Sequence, residues 1–454
     1  MKAIKGIAIA SILAIATTTY IGLMPGAEAK KKDGDEIRNV IVLIGDGMGP
    51  SYMTAYRYFK DDPKTKVKES TAFDPYLVGM QTTYPEDEHE NITDSASAAT
   101  AMSAGVKTYN NAIAVDNDQS EVKTVLEEAK EKGKSTGLVA TSEITHATPA
   151  AFGAHDISRK NMDAIADDYY NELIQGKHKV DVLLGGGLNN FVRKDQNLVE
   201  KFKKDGYSYV TNREDLTRNQ SKQVLGLFAP GGLDKKIDRN TNTPSLQEMT
   251  KSAIDRLNQN EKGFFLMVEG SQIDWAGHDN DIVGAMSEMQ DFEKAFQAAI
   301  DFAKTDKHTL VVTTADHSTG GLSVGANGEY NFHPESLRAA KKTPDYMAAQ
   351  IASGKSVEET LSTYIDLDLT SSEIQSVKKA SKNKKADDID QAIEKIFNTR
   401  SYTGWTTDGH TGEEVPVYAF GPGKERFAGL NDNTKLADEI FAIFDGQKRK
   451  KQSK

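Results

Sequence analysis

Cysteine is absent from all 454 residues. Its absence excludes disulfides, thiol nucleophiles, cysteine-rich metal sites and sulfatase chemistry built on a modified cysteine. Any metal must be held by Asp, Glu, His and hydroxyl groups, and an exported chain of this kind must rest on its core or on bound metal for stability. Positive charge is also in short supply: 56 Lys and Arg face 67 Asp and Glu, a formal net charge of -11. A surface of that sign favours solubility and disfavours nucleic acid or anionic membrane as a partner. No internal repeat is visible. With 38% hydrophobic and 27% charged residues the composition is that of a folded globular protein, long enough for one large domain with an insertion or for two domains.

A long apolar run does occur at the start. Lys2 and Lys5 precede residues 7–24, interrupted by Ser11 and by Thr17, Thr18 and Thr19, and Pro25-Gly-Ala-Glu-Ala29 follows. A charged start, an apolar middle and an A-x-A end read as a signal peptide, residues 1–29, cleaved after Ala29; the protein is then expected to be secreted, whether extracellular, periplasmic or held at the wall. Removing Lys2, Lys5 and Glu28 leaves a mature charge of about -12. Residues 30–454 are expected to form the catalytic domain.

Within it, residues 38–45 read as a strand buried on both faces, and similar runs recur at 137–141, 181–184, 263–268, 309–314 and 415–420. Helical patterns at 51–58, 122–132, 159–175 and 246–258 fall between them. Alternation of this kind predicts a three-layer α/β/α sandwich around a large, mostly parallel sheet. Residues 334–398, rich in Lys, Ala, Ser and Glu, read as a polar helical insertion in the C-terminal third.

Chemistry-bearing residues follow the strands. Asp46 comes after the first, Glu143, His146 and Thr148 after 137–141, Glu269 and Asp274 after 263–268, and Asp316 and His317 after 309–314. Ligands bind at the carboxyl ends of strands in open α/β sheets, so these groups are expected on one rim, although a single post-strand Asp is more often a helix cap. Thr93-Asp94-Ser95-Ala-Ser-Ala-Ala-Thr100 reads as the capped start of a helix, where free amides and the macrodipole stabilise an anion and a nucleophilic hydroxyl alike. Capping is the commoner use of such a serine. Asp274 and His278 stand four apart, the spacing of metal ligands on one helical face and equally of a surface ion pair. Of nine histidines, His278, His317 and His410 each have an Asp within four residues; His89, His178 and His308 read as solvated, and His155 and His333 as core or loop. Imidazole with carboxylate suits zinc, and an Asp, Glu and Thr oxygen set suits magnesium. Arg159 has the fork geometry to clamp two phosphate oxygens, or to pair at the surface.

The motifs Ile-Gly-Asp46-Gly-Met-Gly, Thr-Asp-Ser95-Ala-Ser-Ala-Ala-Thr, His-Ala-Thr148-Pro-Ala-Ala, Val-Glu269-Gly-Ser-Gln-Ile-Asp274 and Thr-Ala-Asp316-His317-Ser-Thr-Gly-Gly together resemble the alkaline phosphatases, from about residue 40 to 423 apart from the insertion. The resemblance implies hydrolysis of phosphate monoesters through a phosphoserine on Ser95, with two zinc ions and one magnesium. It implies one zinc on Asp274, His278 and His410 and the other on Asp46, Asp316 and His317. Magnesium would be shared by Asp46, Thr148 and Glu269, with Arg159 on phosphate. A homodimer is a further implication. His146 and Trp275 depart from the best-known bacterial pattern, which has Asp and Lys there. Two other readings compete: a phosphodiesterase of the same metal architecture, and an exported metal-binding protein without turnover, for which Ser95 and Arg159 would have no use.

Overall fold

The structure is a computed structural model that describes residues 36–446. The signal-peptide assignment lies outside the described residues. The main sheet has ten strands: β1 (Asn39–Gly45), β2 (Leu77–Thr82), β3 (Ser135–Glu143), β4 (Val182–Gly186), β5 (Ser208–Val210), β6 (Val224–Leu227), β7 (Phe264–Gly270), β8 (Thr309–Thr314), β9 (Val415–Phe420) and β10 (Gly429–Asp432). They lie in the order β10-β2-β9-β8-β1-β7-β3-β4-β6-β5. All neighbours run parallel except β9, which is antiparallel to both β8 and β2.

Burial explains why the strand sequences are continuously apolar. All seven residues of β1 are buried, Ile41 and Leu43 packing into one hydrophobic cluster and Val40, Val42 and Ile44 into another on the opposite face. Helices cover both faces, which is the three-layer architecture the alternation predicts. Those that matter for the site are α1 (Pro50–Lys60), α2 (Ser95–Ala104), α3 (Ala147–Gly153), α4 (Gln272–His278), α5 (Ile282–Asp306) and α6 (Ala386–Ser401). Every residue of α2 is buried, so its run of Ser and Ala is a packing requirement: only short side chains let the helix lie against its neighbours on all sides. It ends at Gly105, whose φ of +73° closes it in the left-handed conformation.

Residues 335–401 carry five helices, and Met347, Ile351, Leu361, Val377, Ile389, Ile393 and Phe397 from them join the core cluster on the α5 side of the sheet. Four strands of the main sheet were not legible in the sequence: β5 has only three residues, and β6 only four with Gly226 among them, too short for an apolar run to stand out. The strands β2 and β10 are short and part-exposed, without the apolar run that marks the central ones. One histidine is also reassigned: His178, expected in solvent, is buried among the rings of Phe202 and Tyr207, with Nε2 3.0 Å from Asp205.

Candidate active site

Parallel register delivers the site. β1, β7 and β8 are adjacent and end level, Ile44 pairing with both Glu269 and Thr314, so that Asp46, Glu269 and Asp316 emerge side by side. Asp46, Glu269, Asp316 and His317 are all buried. Gly47, at φ +67°, turns the chain after Asp46, and its amide donates to Asp316 Oδ1 at 3.0 Å. Any Cβ there would meet the Thr319 hydroxyl at 2.6 Å, so the turn requires glycine on two counts.

Ser95 opens α2, and Asp94 caps the helix by accepting from the Ser97 amide at 3.0 Å. The Ser95 hydroxyl lies 3.1 Å from His317 Nε2 and 3.5 Å from Asp46 Oδ1. This is not the geometry of a serine–histidine–aspartate triad, in which a carboxylate accepts from Nδ1 while the serine meets Nε2. Here Asp46 Oδ1 at 3.5 Å and Asp316 Oδ2 at 3.4 Å approach the same Nε2 that faces the serine, and Nδ1 faces the Thr319 hydroxyl at 3.3 Å. Carboxylate oxygens and an imidazole lone pair converging on one point are what a cation needs. Asp46 Oδ2, Asp316 Oδ2, Glu269 Oε1 and the Thr148 hydroxyl are buried without a hydrogen-bond partner. Buried, and with no lysine or arginine among the described residues within ion-pair distance, such oxygens are costly.

The second set makes the same point more sharply. Asp274 and His278 sit one turn apart on α4, and His410 comes from a two-residue ribbon (His410–Thr411) paired with Ser318–Thr319. His278 Nδ1 donates to the Asp408 carbonyl at 2.5 Å and His410 Nδ1 to the Thr93 carbonyl at 2.8 Å. A carbonyl can only accept, so in each neutral ring Nε2 is left with a lone pair. Those two Nε2 atoms are 3.1 Å apart, with Asp274 oxygens 3.3 Å from His278 and 3.6 Å from His410. Two lone pairs cannot rest there without a positive centre between them. In the free protein a proton supplies it: hydrogen bonding to Asp274 holds His278 up at about 9.

At this site donor atoms thus gather within 4.8 Å in three groups: Asp46, Asp316 and His317; Asp274, His317 and His410; and Asp46, His146 and Glu269; a fourth, Glu127, His155 and Glu172, lies elsewhere and already holds Lys179. Thr148, in the first turn of α3, belongs to the same buried region as the third. Burial, then the charges of Asp316 and Asp274, pushes Asp46 well above the usual carboxylate range; burial likewise raises Glu269 to about 7 and Asp316 to about 6. His146 is driven the other way, down to about 3, by burial and by the nearby Arg159 charge.

Arg159 is the positive group at the opening. Its guanidinium donates to Asp94 Oδ2 at 3.0 Å and to His146 Nε2 at 3.1 Å. The helix expected at 159–175 begins only at Met162 and ends at Asn171, which leaves Arg159 on a loop that reaches the site. Trp275 stands half-buried with its ring edge-to-face to His146 at 5.7 Å, at the rim. A cavity of about 750 Å³ opens past Thr93, Asp94, His278 and His410 towards residues 87–92. Glu143, expected on this rim, is not among the converging groups; it packs beside Gly187 and Gly231. Sequence reading missed two participants: Asp94 as the partner of Arg159, and Thr319, whose only signal is a hydroxyl two residues beyond His317.

A family model described as alkaline phosphatase matches residues 37–445. The chain belongs to that family. It is 67% identical to alkaline phosphatase 3 of Bacillus subtilis over 97% of this chain and 96% of that protein, and 60% identical to alkaline phosphatase 4 of the same organism over 95% and 96%. Among solved structures, a cold-active alkaline phosphatase from a psychrophilic Shewanella superposes with a TM-score of 0.85 at 43% identity, covering 89% of this chain and 99% of that one. The protein is therefore a phosphomonoesterase of a metal-dependent family, hydrolysing phosphate monoesters to an alcohol and inorganic phosphate. No helix among the described residues is long and apolar enough to cross a membrane.

Proposed function

We propose that Ser95 is the nucleophile of this hydrolysis and that the reaction passes through a phosphoserine. The observation that carries the reading is the position of its hydroxyl, 3.1 Å from His317 Nε2 and 3.5 Å from Asp46 at the start of α2. Asp274, His278 and His410 would hold one zinc, and Asp46, Asp316 and His317 the other; the orphaned oxygens and facing lone pairs fit both. Asp46, Thr148 and Glu269 would hold magnesium, with His146 adding a nitrogen donor that magnesium accepts less readily than oxygen. When bound, these ions supply charge neutralisation and a lowered pKa for a coordinated hydroxyl or water.

The chain's own residues do the rest. The first turn of α2 presents unpaired amides to the equatorial phosphate oxygens, and Arg159 forks onto two of them, where charge lies in a loose transition state. Asp94 and His146 hold the guanidinium beforehand, so little side-chain entropy is lost when phosphate arrives. Ser95 attacks phosphorus as the P–O bond to the alcohol breaks; water then attacks the phosphoserine and frees the serine.

Ser95→Ala is expected to keep its metal content and lose turnover by roughly three orders of magnitude or more. Acid quenching of the wild type with labelled substrate, followed by peptide mapping, should find the label on Ser95. A Ser95→Ala protein with near-native turnover sinks the proposal. For the chain as a whole we propose export with cleavage after Ala29, read out by N-terminal sequencing of the mature protein. We further propose a catalytic domain over 30–454 with 334–398 as its inserted segment, and a homodimer.

A further inference from the structure

Thr319 is fully buried and touches every member of one of the donor triangles. Its backbone pairs with His410 in the ribbon joining residues 318–319 to 410–411. Its hydroxyl lies 2.5 Å from Asp274 Oδ1 and 3.3 Å from His317 Nδ1. An ionised carboxylate only accepts, so the single Thr319 O–H donates to Asp274, and the hydroxyl oxygen then accepts from His317 Nδ1–H. That relay fixes the His317 tautomer: with the proton on Nδ1, the Nε2 lone pair is directed at Asp46, Asp316 and Ser95.

The threonine is itself rigidly seated. Tyr52 donates from its hydroxyl to the Thr319 carbonyl at 2.8 Å. Gly47 and Gly277 leave it room, since a Cβ on either would meet the Thr319 side chain at 2.6 Å and 3.0 Å. One hydroxyl therefore spans the two proposed zinc sets, Asp274 from one and His317 from the other.

We propose that Thr319 is a positioning residue that couples the two zinc sites, orienting Asp274 and His317 through one hydroxyl so that both sites fill together. The inference rests on the zinc assignment above, and it concerns binding rather than the chemical step. Outer partners of metal ligands typically govern affinity by about 10- to 100-fold.

The test is zinc titration of the metal-depleted full chain against a competing chromogenic chelator, for wild type, Thr319→Val and Thr319→Ser. Valine keeps the shape and removes the hydroxyl; serine keeps the hydroxyl. Thr319→Val is expected to bind both zinc ions about 10- to 100-fold more weakly and in two separate steps, and Thr319→Ser to restore the wild-type curve. The melting temperature, measured with and without zinc, separates this role from plain packing. The metal-free proteins should melt together, with Thr319→Val losing part of the zinc-induced rise. Wild-type affinity and step number in Thr319→Val would overturn the proposal, as would equal weakening by serine and valine. If Thr319→Val does not fold, Thr319→Ser and Thr319→Ala carry the same comparison, with weakening in alanine alone expected. Should wild type itself bind no zinc, the zinc assignment fails rather than the coupling.

Discussion

Two groups of buried carboxylates lie within this molecule, and they are resolved in different ways. At the carboxyl ends of β1, β7 and β8, Asp46, Glu269, Asp274 and Asp316 meet histidine nitrogens, and donor atoms gather within 4.8 Å. Between α5 and α6, Asp281, Asp390 and Glu394 are also buried, each with an oxygen lacking a hydrogen-bond partner, but among the described residues they form no such group with histidine. There the protein supplies its own cation. Lys235 reaches Asp279 at 3.0 Å, Asp345 at 2.5 Å and Asp281 at 3.9 Å. Burial, with these neighbouring acids, also raises Asp390 to about 9 and Glu394 to about 10, so at neutral pH those two carry protons. The comparison teaches that buried acid alone does not define a metal centre. What sets the rim apart is that its acids converge with imidazole nitrogens and no lysine or arginine of the described residues pairs with Asp46, Glu269, Asp274 or Asp316.

The comparison breaks first at the rim. Asp316→Ala should cost at least about a thousand-fold in turnover and, in the same protein, the gain in melting temperature that metal gives, since metal affinity is folding free energy. Assay and thermal denaturation of one sample decide it, and full activity of the wild type after exhaustive chelation would contradict it. Arg159→Ala should keep metal content while kcat/KM falls about 100-fold, the scale of one lost charge-stabilising donor; a change confined to metal content would argue against the clamp.

The second cluster should respond in stability alone. Lys235→Met strands Asp279, Asp281 and Asp345, and is expected to destabilise the protein in denaturant unfolding by less than the ~3–5 kcal/mol of a fully buried pair, Asp279 and Asp345 being half exposed, without altering metal content. The last effect is one of pH. Asp390 and Glu394 have folded pKa values raised above their unfolded ones, so the native state holds protons that the unfolded chain releases. The stability they lend is complete below about pH 4 and is lost as pH rises through about 9 and 10. Asp390→Asn with Glu394→Gln should therefore match wild type near pH 4 and melt progressively further above it as pH rises towards 9. An unchanged pH profile would mean that a cation already neutralises this cluster.

Much of this was legible beforehand, and the exceptions have physical causes. Long strands buried on both faces announce themselves as apolar runs, so β1, β3, β4, β7, β8 and β9 could be found; β2 and β10 could not, being part-exposed and short, nor could β5 and β6, which are three and four residues long. His178 follows no sequence rule, because its burial is due to rings contributed by residues 202 and 207. Glu143 and Glu269 stand alike at strand ends, and only their surroundings separate them.

The sequence by itself determined which residues had the chemistry: no thiol, a serine at a small-residue helix start, and acids and imidazoles after buried strands. It also determined the layered fold, because strand and helix periodicities are local. Tertiary structure alone decided that Asp46, His317 and Ser95 share one point, that His278 and His410 face each other, and that the Thr319 hydroxyl meets both Asp274 and His317. Those relations depend on register and crossover between segments hundreds of residues apart, and distances of a few ångströms between such segments leave no local trace in the chain.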